Sequence, residues 1–168
     1  EFYNSSKIFA DFLSQREEKY VVFIGQPRTY HLSIVLAIAS LGKCFIPLPD
    51  NGPFLSTLSQ LEKIPNECLI VSYRLIPELE NSIISSEVID IDSKLYFYNY
   101  QSHQEFNRSK FEPFIVAPTS GSTGSSKMVA FTQETKLRRT NQSIELFNIN
   151  SQDKIISASP LHHSLGQR

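Results

Sequence analysis

The stretch "PFIVAPTSGSTGSSKMVAFTQ", Pro113 to Gln133, decides how this chain is read. Its middle, Thr119 to Lys127, is built almost wholly of Ser, Thr and Gly and closes on a lysine. Such a run serves as a flexible linker in many proteins, because it has no apolar side chain to anchor it. A linker, however, joins finished units through polar flanks, and here both flanks, "FIVAP" and "MVAF", are apolar runs of strand length. Strand, Gly-rich turn, strand is a hairpin. Its tip is rich in residues that tolerate positive φ and present backbone N–H groups to an anion. Ser120, Ser122 and Thr123 add hydroxyl donors, and Lys127 adds a positive charge.

Two common phosphate loops do not fit. A Walker A loop needs Gly before its lysine, Ser or Thr after it, and then a helix; here Ser126 and Met128 flank Lys127, and a strand follows. The dinucleotide pattern G-x-G-x-x-G is absent as well.

Outward from the hairpin, strand and helix patterns alternate. Toward the N-terminus, Ile8, Phe9, Phe12 and Leu13 have helical spacing, and "YVVFIG" (Tyr20–Gly25) is a buried strand. Tyr30–Leu41 is a helix apolar nearly all round, with Leu32, Val35, Leu36 and Ala39 on one stripe and Ile34, Ile38 and Leu41 beside it. A helix of that kind is covered on more than one side. "CFIPLPD" (Cys44–Asp50) completes a strand–helix–strand crossover unit of a parallel sheet. Gly52-Pro53 opens a further helix with Phe54, Leu55, Leu58 and Leu61 on its inner stripe. "CLIVS" (Cys68–Ser72) is the next strand, a short helix starts near Pro77, and "EVIDI" (Glu87–Ile91) is another strand. Leu95–Glu112 fits no single class. Beyond the hairpin, Thr132 caps a helix with Glu134 in its first turn and Leu137, Ile144 and Phe147 facing inward. "KIISASP" (Lys154–Pro160) is expected as a last strand. The fold class is α/β: a largely parallel sheet with flanking helices, forming one unit over residues 1–168.

Composition narrows the function. With 40% hydrophobic and 20% charged residues the chain can bury a core, and a net charge of −1 argues against a nucleic-acid binder. Arg138-Arg139 is a solvated helix face. Cys44 and Cys68 lie in apolar strands and are expected as buried free thiols, in keeping with a cytoplasmic location. The longest apolar stretch, Leu32–Leu41, is about half of the roughly 20 residues a membrane span requires, and the N-terminus has no signal-peptide pattern.

"TSGSTGSSK" (Thr119–Lys127) closely resembles the Thr-Ser-Gly-(Ser/Thr)-Thr-Gly-x-x-Lys phosphate loop of the adenylate-forming synthetases, which include acyl- and aryl-CoA synthetases, peptide-synthetase adenylation domains and luciferases. "LGKCFIPLPD" (Leu41–Asp50) is similar to an earlier segment of that family, and "PLHHSLG" (Pro160–Gly166) to a later one, in the family's order. The resemblance covers residues 20 to 168 and implies the N-terminal, ATP-binding subdomain of a longer enzyme. The family usually has Pro and Gly where this chain has Ser126 and Met128. Its later elements, including a ribose-binding aspartate and a C-terminal catalytic lysine, do not occur in these 168 residues, so this chain alone is expected to be inactive.

By resemblance, Thr119, Ser120, Gly121, Ser122, Thr123, Gly124 and Lys127 would cradle the β- and γ-phosphates of ATP. Mg2+ would accompany the nucleotide, held by a residue outside this sequence. His163 would lie beside the acyl pocket and the thiol entry. The implied substrate is a carboxylic acid, and the implied acceptor is the thiol of CoA or a carrier protein. Amino-acid-activating members carry an aspartate after an aromatic in the "PLHHSLG" region. "HHSLGQR" (His162–Arg168) has no acid, which favours an acid without an α-amino group. His162 and His163 as a metal pair are disfavoured, since neighbours on a strand end point to opposite faces. The rival reading is a non-catalytic nucleotide-binding or interaction domain that keeps the fold.

Overall fold

A computed structural model of the protein describes residues 2–25, 31–48, 59–64, 67–72, 88–90, 112–119, 127–154 and 156. Its elements in chain order are α1 (Phe2–Ser14), β1 (Tyr20–Ile24), α2 (His31–Ser40), β2 (Cys44–Leu48), β3 (Cys68–Ser72), β4 (Val88–Asp90), β5 (Pro113–Pro118), β6 (Met128–Thr132) and α3 (Gln133–Phe147). The strands form a six-stranded sheet in the order β4-β3-β1-β2-β5-β6. Every pairing is parallel except β5 with β6. The expected α/β class and largely parallel sheet are therefore present.

The apolar runs take the centre because a parallel sheet is covered on both faces. In β1, Val21 and Phe23 point to one face, where they join Phe9, Ala10 and Leu13 of α1 and Ile34, Ala37 and Ile38 of α2. Val22 and Ile24 point to the other face, against Ile46, Leu48, Leu61, Ile64 and Ile70. Residues 59–61 are helical and Leu61 is buried, as its inner-stripe placement anticipates. The other residues of that helix, the helix near Pro77 and most of Leu95–Glu112 lie outside the described residues.

Helix α2 ends where Gly42 takes a φ of 67°. There the Gly42 N–H donates to Ala39 O at 3.1 Å and the Lys43 N–H to Ile38 O at 3.0 Å, the paired bonds that close a helix through a left-handed glycine. This turn delivers Lys43 to a buried position, where its Nζ donates to Arg16 O at 2.6 Å and Glu18 O at 2.7 Å. Desolvation holds the Lys43 amine below its ordinary pKa of 10.5, against a smaller opposing pull from the Glu18 carboxylate. Between the depressed pKa and 10.5 the unfolded chain holds a proton that the folded chain has released, so this group makes stability rise with pH in that window. Urea unfolding at rising alkaline pH should show that rise, and Lys43→Met should flatten it. Parallel pH profiles for the two proteins would contradict it.

Three expectations need correction. In α2, Leu32 and Leu36 are 55% and 48% exposed, and the inward side is that of Ile34, Ala37, Ile38 and Leu41. An all-round apolar helix gives no polar face to orient it, and α1 covers the Ile34 side. In α3, no residue is buried, and the expected inward trio is exposed: Leu137 at 60%, Ile144 at 42% and Phe147 at 71%. This helix follows β6, the last strand of the sheet, and reaches mainly β6 and β5, so the central core is out of its range. Finally, Lys154 and Ile156 of the expected last strand are not in a strand, and Ile156 is 94% exposed; the rest of that segment lies outside the described residues.

The start of α3 is as expected. Thr132 is the N-cap, its side chain accepting from Thr135 N at 3.1 Å, with Glu134 in the first turn. Asn148, at φ 51°, stops the helix. Cys44 and Cys68 are buried and form no disulfide. Both pair with Tyr20 of β1 from opposite sides, so two strand spacings, about 9.5 Å, separate them, beyond the roughly 7 Å Cα limit of a disulfide.

Candidate phosphate-binding loop

Strand β5 runs parallel to β2, in register at Phe45 and Ile115, and therefore points the same way as β1, β2 and β3. The turn that follows β5 thus leaves the sheet at the carboxyl ends of its parallel strands. Open α/β sheets place their ligand crevices at that end. Strand β6 returns antiparallel, with Pro118 opposite Met128 as the last pair before the turn.

Three side chains of this hairpin anchor it from opposite faces. Phe114 packs against the cluster that holds Phe23 and Phe45, while Val116 and Met128 pack against the cluster of Val22 and Ile24. Met128 stands where the resembling family has glycine, and here its side chain fixes the start of β6 to the core. The sequence shows the departure but not this compensation, because the partner residues come from distant strands.

Just beyond the last pair, Thr119 and Lys127 meet. The Thr119 N–H donates to Lys127 O at 2.8 Å. The Thr119 hydroxyl accepts from the Lys127 N–H at 3.3 Å and donates to Lys127 O at 3.2 Å. Thr119 is half-buried and Lys127 is exposed, so the lysine's ammonium stays in water at the mouth of the turn. Of the expected site residues, the structure brings these two together. Ser120, Gly121, Ser122, Thr123, Gly124 and His163 lie outside the described residues, as does His162. On α3 the Lys136 ammonium and the Arg139 guanidinium lie over the Phe131 ring of β6, 4.7 and 5.6 Å from its centroid, and Arg138 is exposed, as a solvated face requires.

Metal chemistry finds no protein-held centre in what is described. Among the described residues, no group of three His, Cys, Asp or Glu side chains could hold an ion. At the described mouth of the hairpin the Thr119 N–H and hydroxyl and the Lys127 N–H are used within the hairpin, and the exposed Lys127 adds a positive charge beside it. No described helix is long and apolar enough to cross a membrane.

Solved structures share this fold. o-Succinylbenzoate coenzyme A synthetase from Bacillus subtilis, in complex with AMP, superposes with a TM-score of 0.85 at 23% identity, over 99% of this chain and 44% of its own. The same enzyme in complex with ATP and magnesium ion gives 0.83 at 24% identity, over 99% of this chain and 45% of its own. The McyG A-PCP protein complexed with phenylalanyl-adenylate gives 0.80 at 22% identity, over 96% of this chain and 28% of its own. The chain thus spans less than half the length of these structures, and at such identities the likeness is one of fold. No curated protein matches the sequence significantly. The sequence profile of the AMP-binding enzymes, however, matches residues 1–168 from end to end, and by that match this chain belongs to the AMP-binding enzyme family.

Proposed function

We propose that this chain is the ATP-binding N-terminal part of a ligase that joins a carboxylic acid to AMP and passes the acyl group to a thiol, of CoA or of a carrier protein. One observation carries the reading: a Ser/Thr/Gly loop ending in Lys127 is fastened at its base by Thr119, at the carboxyl edge of a parallel sheet. Membership of the AMP-binding family supports it, as do neighbours whose complexes hold AMP, ATP with magnesium, and an aminoacyl adenylate.

In this reading a carboxylate oxygen of the substrate attacks the α-phosphorus of ATP, and the bond to the bridging oxygen of pyrophosphate breaks. The loop stabilises the leaving group. Amides and hydroxyls from Ser120 to Gly124 donate to the β- and γ-phosphate oxygens as these gain charge, and Lys127 adds a positive field. Glycines at 121 and 124 let the backbone approach those oxygens closely. Magnesium, bound through the nucleotide, supplies further charge neutralisation. His163 borders the acyl pocket and the thiol's path. The lack of an acid in "HHSLGQR" favours a fatty, aryl or other acid without an α-amino group. A cytoplasmic location belongs to the same reading, consistent with the buried Cys44 and Cys68 thiols, which form no disulfide.

Carboxylate-dependent exchange of pyrophosphate into ATP tests this. A protein carrying this chain within a complete catalytic domain should exchange with a fatty or aryl acid and not with amino acids, and this chain by itself should not exchange. Exchange with amino acids alone, or with no acid in a broad panel, would contradict the reading.

A further inference from the structure

Resting on the reading of Thr119–Lys127 as a phosphate loop, we propose that Thr119 is a positioning residue: it latches the two ends of the loop together and does not itself bind phosphate. The argument is one of donor inventory. A threonine hydroxyl has one proton to give. Here that proton goes to Lys127 O at 3.2 Å, while the oxygen accepts the Lys127 N–H at 3.3 Å. Donating to a phosphate oxygen would require breaking the first of these bonds. What remains facing outward is lone-pair density, which repels an anion.

The latch has a structural reason. Thr119 stands directly opposite Lys127 in the register set by Pro118 and Met128, one step past the last ladder pair, so its backbone and hydroxyl meet the lysine's backbone. Thr119 closes the mouth of the hairpin twice, from its backbone N–H at 2.8 Å and from its side chain. All three bonds converge on the backbone of Lys127 and none involves the Lys127 side chain. The latch therefore fixes where the loop ends without occupying the ammonium group. Opposite, Met128 is packed on the core, so the far side of the mouth is held as well. Thr119 thereby sets the separation that the intervening residues must span, and with it how well they converge on one anion. Serine would retain the hydroxyl at this position. Valine, nearly isosteric, would retain the shape and lose the latch.

The test uses this chain, Thr119→Val and Thr119→Ser, with two measurements: amide hydrogen exchange resolved at Lys127 without ligand, and affinity for magnesium pyrophosphate. Thr119→Val should speed exchange at Lys127 about three- to tenfold, the scale of losing one modest hydrogen bond, with β1 to β3 unchanged as the internal control for folding. Pyrophosphate affinity should fall by a similar factor, and Thr119→Ser should restore both. Unchanged Lys127 exchange in Thr119→Val would overturn the latch. Weaker pyrophosphate binding with unchanged exchange would make Thr119 a direct ligand after all. Faster exchange with unaltered affinity would reduce Thr119 to a turn staple. No pyrophosphate binding by the unmodified chain would defeat the phosphate-loop reading itself, and with it the positioning role, while the ligand-free exchange would still report whether the latch exists.

Discussion

Thr123→Ala is expected to lower carboxylate-dependent pyrophosphate exchange by about ten- to a thousandfold in a protein that carries the complete catalytic domain. That is the scale of removing one donor aimed at charge that develops in the transition state. Stability should change by no more than about 0.5 kcal/mol, because a hydroxyl at a hairpin tip supports no core. The separation of the two effects is the content of the prediction. Gly124→Ala should be as damaging to exchange if the turn needs positive φ there, but it should cost stability too. Lys127→Ala should be milder, since Lys127 is exposed and its charge is screened by salt. Exchange rates and melting temperatures for the three variants check this. Full activity in Thr123→Ala, with activity abolished by Arg138→Ala on the exposed side of α3, would place the phosphate site elsewhere.

Phe23→Ala should destabilise the chain by about 3–5 kcal/mol, the usual cost of emptying a core phenylalanine site. Phe23 is wholly buried in the central strand. Its ring lies 6.3 Å from that of Phe45 and meets the His31 ring edge-on at 4.9 Å, so the hole would be lined by groups that cannot all collapse into it. At about 2–4 °C per kcal/mol for a chain of this size, the melting temperature should fall by roughly 6–20 °C. Leu32→Ala is the contrasting variant. The two residues look equally apolar in the sequence, yet Leu32 is more than half exposed and its truncation should cost no more than about 0.5 kcal/mol. Similar losses for the two variants, measured by thermal or urea unfolding, would mean that α2 packs by its other side.

That contrast shows what the sequence could reveal. Strands β1, β2 and β3 were legible because an unbroken apolar run bounded by turn residues has few other uses in a short segment. The start of α3 was legible for a local reason: Thr132 completes its cap with Thr135, three residues away. Facing was not legible. In α2 nothing polar marks the outer side, and in α3 the spacing of Leu137, Ile144 and Phe147 marks a stripe without showing what lies opposite it. The loop was legible as a composition, and its flanking strands as the two sides of a hairpin. The role of Thr119 was not, because a hydroxyl in a sequence does not disclose its partner, and that partner is eight residues away across the turn. Met128 was a departure from the family's pattern for the same reason: its packing on the Val22 face depends on chain far removed from the loop.

The central claim is that the turn between β5 and β6 holds pyrophosphate, and the most direct test is an amide-resolved NMR titration of this chain with magnesium pyrophosphate. The account predicts saturable shifts confined to the amides from Thr119 to Lys127 and the strand ends beside them, with β4 and the C-terminal half of α3 unmoved. Saturable shifts elsewhere with the 119–127 amides silent, or no shifts at millimolar ligand, would contradict it.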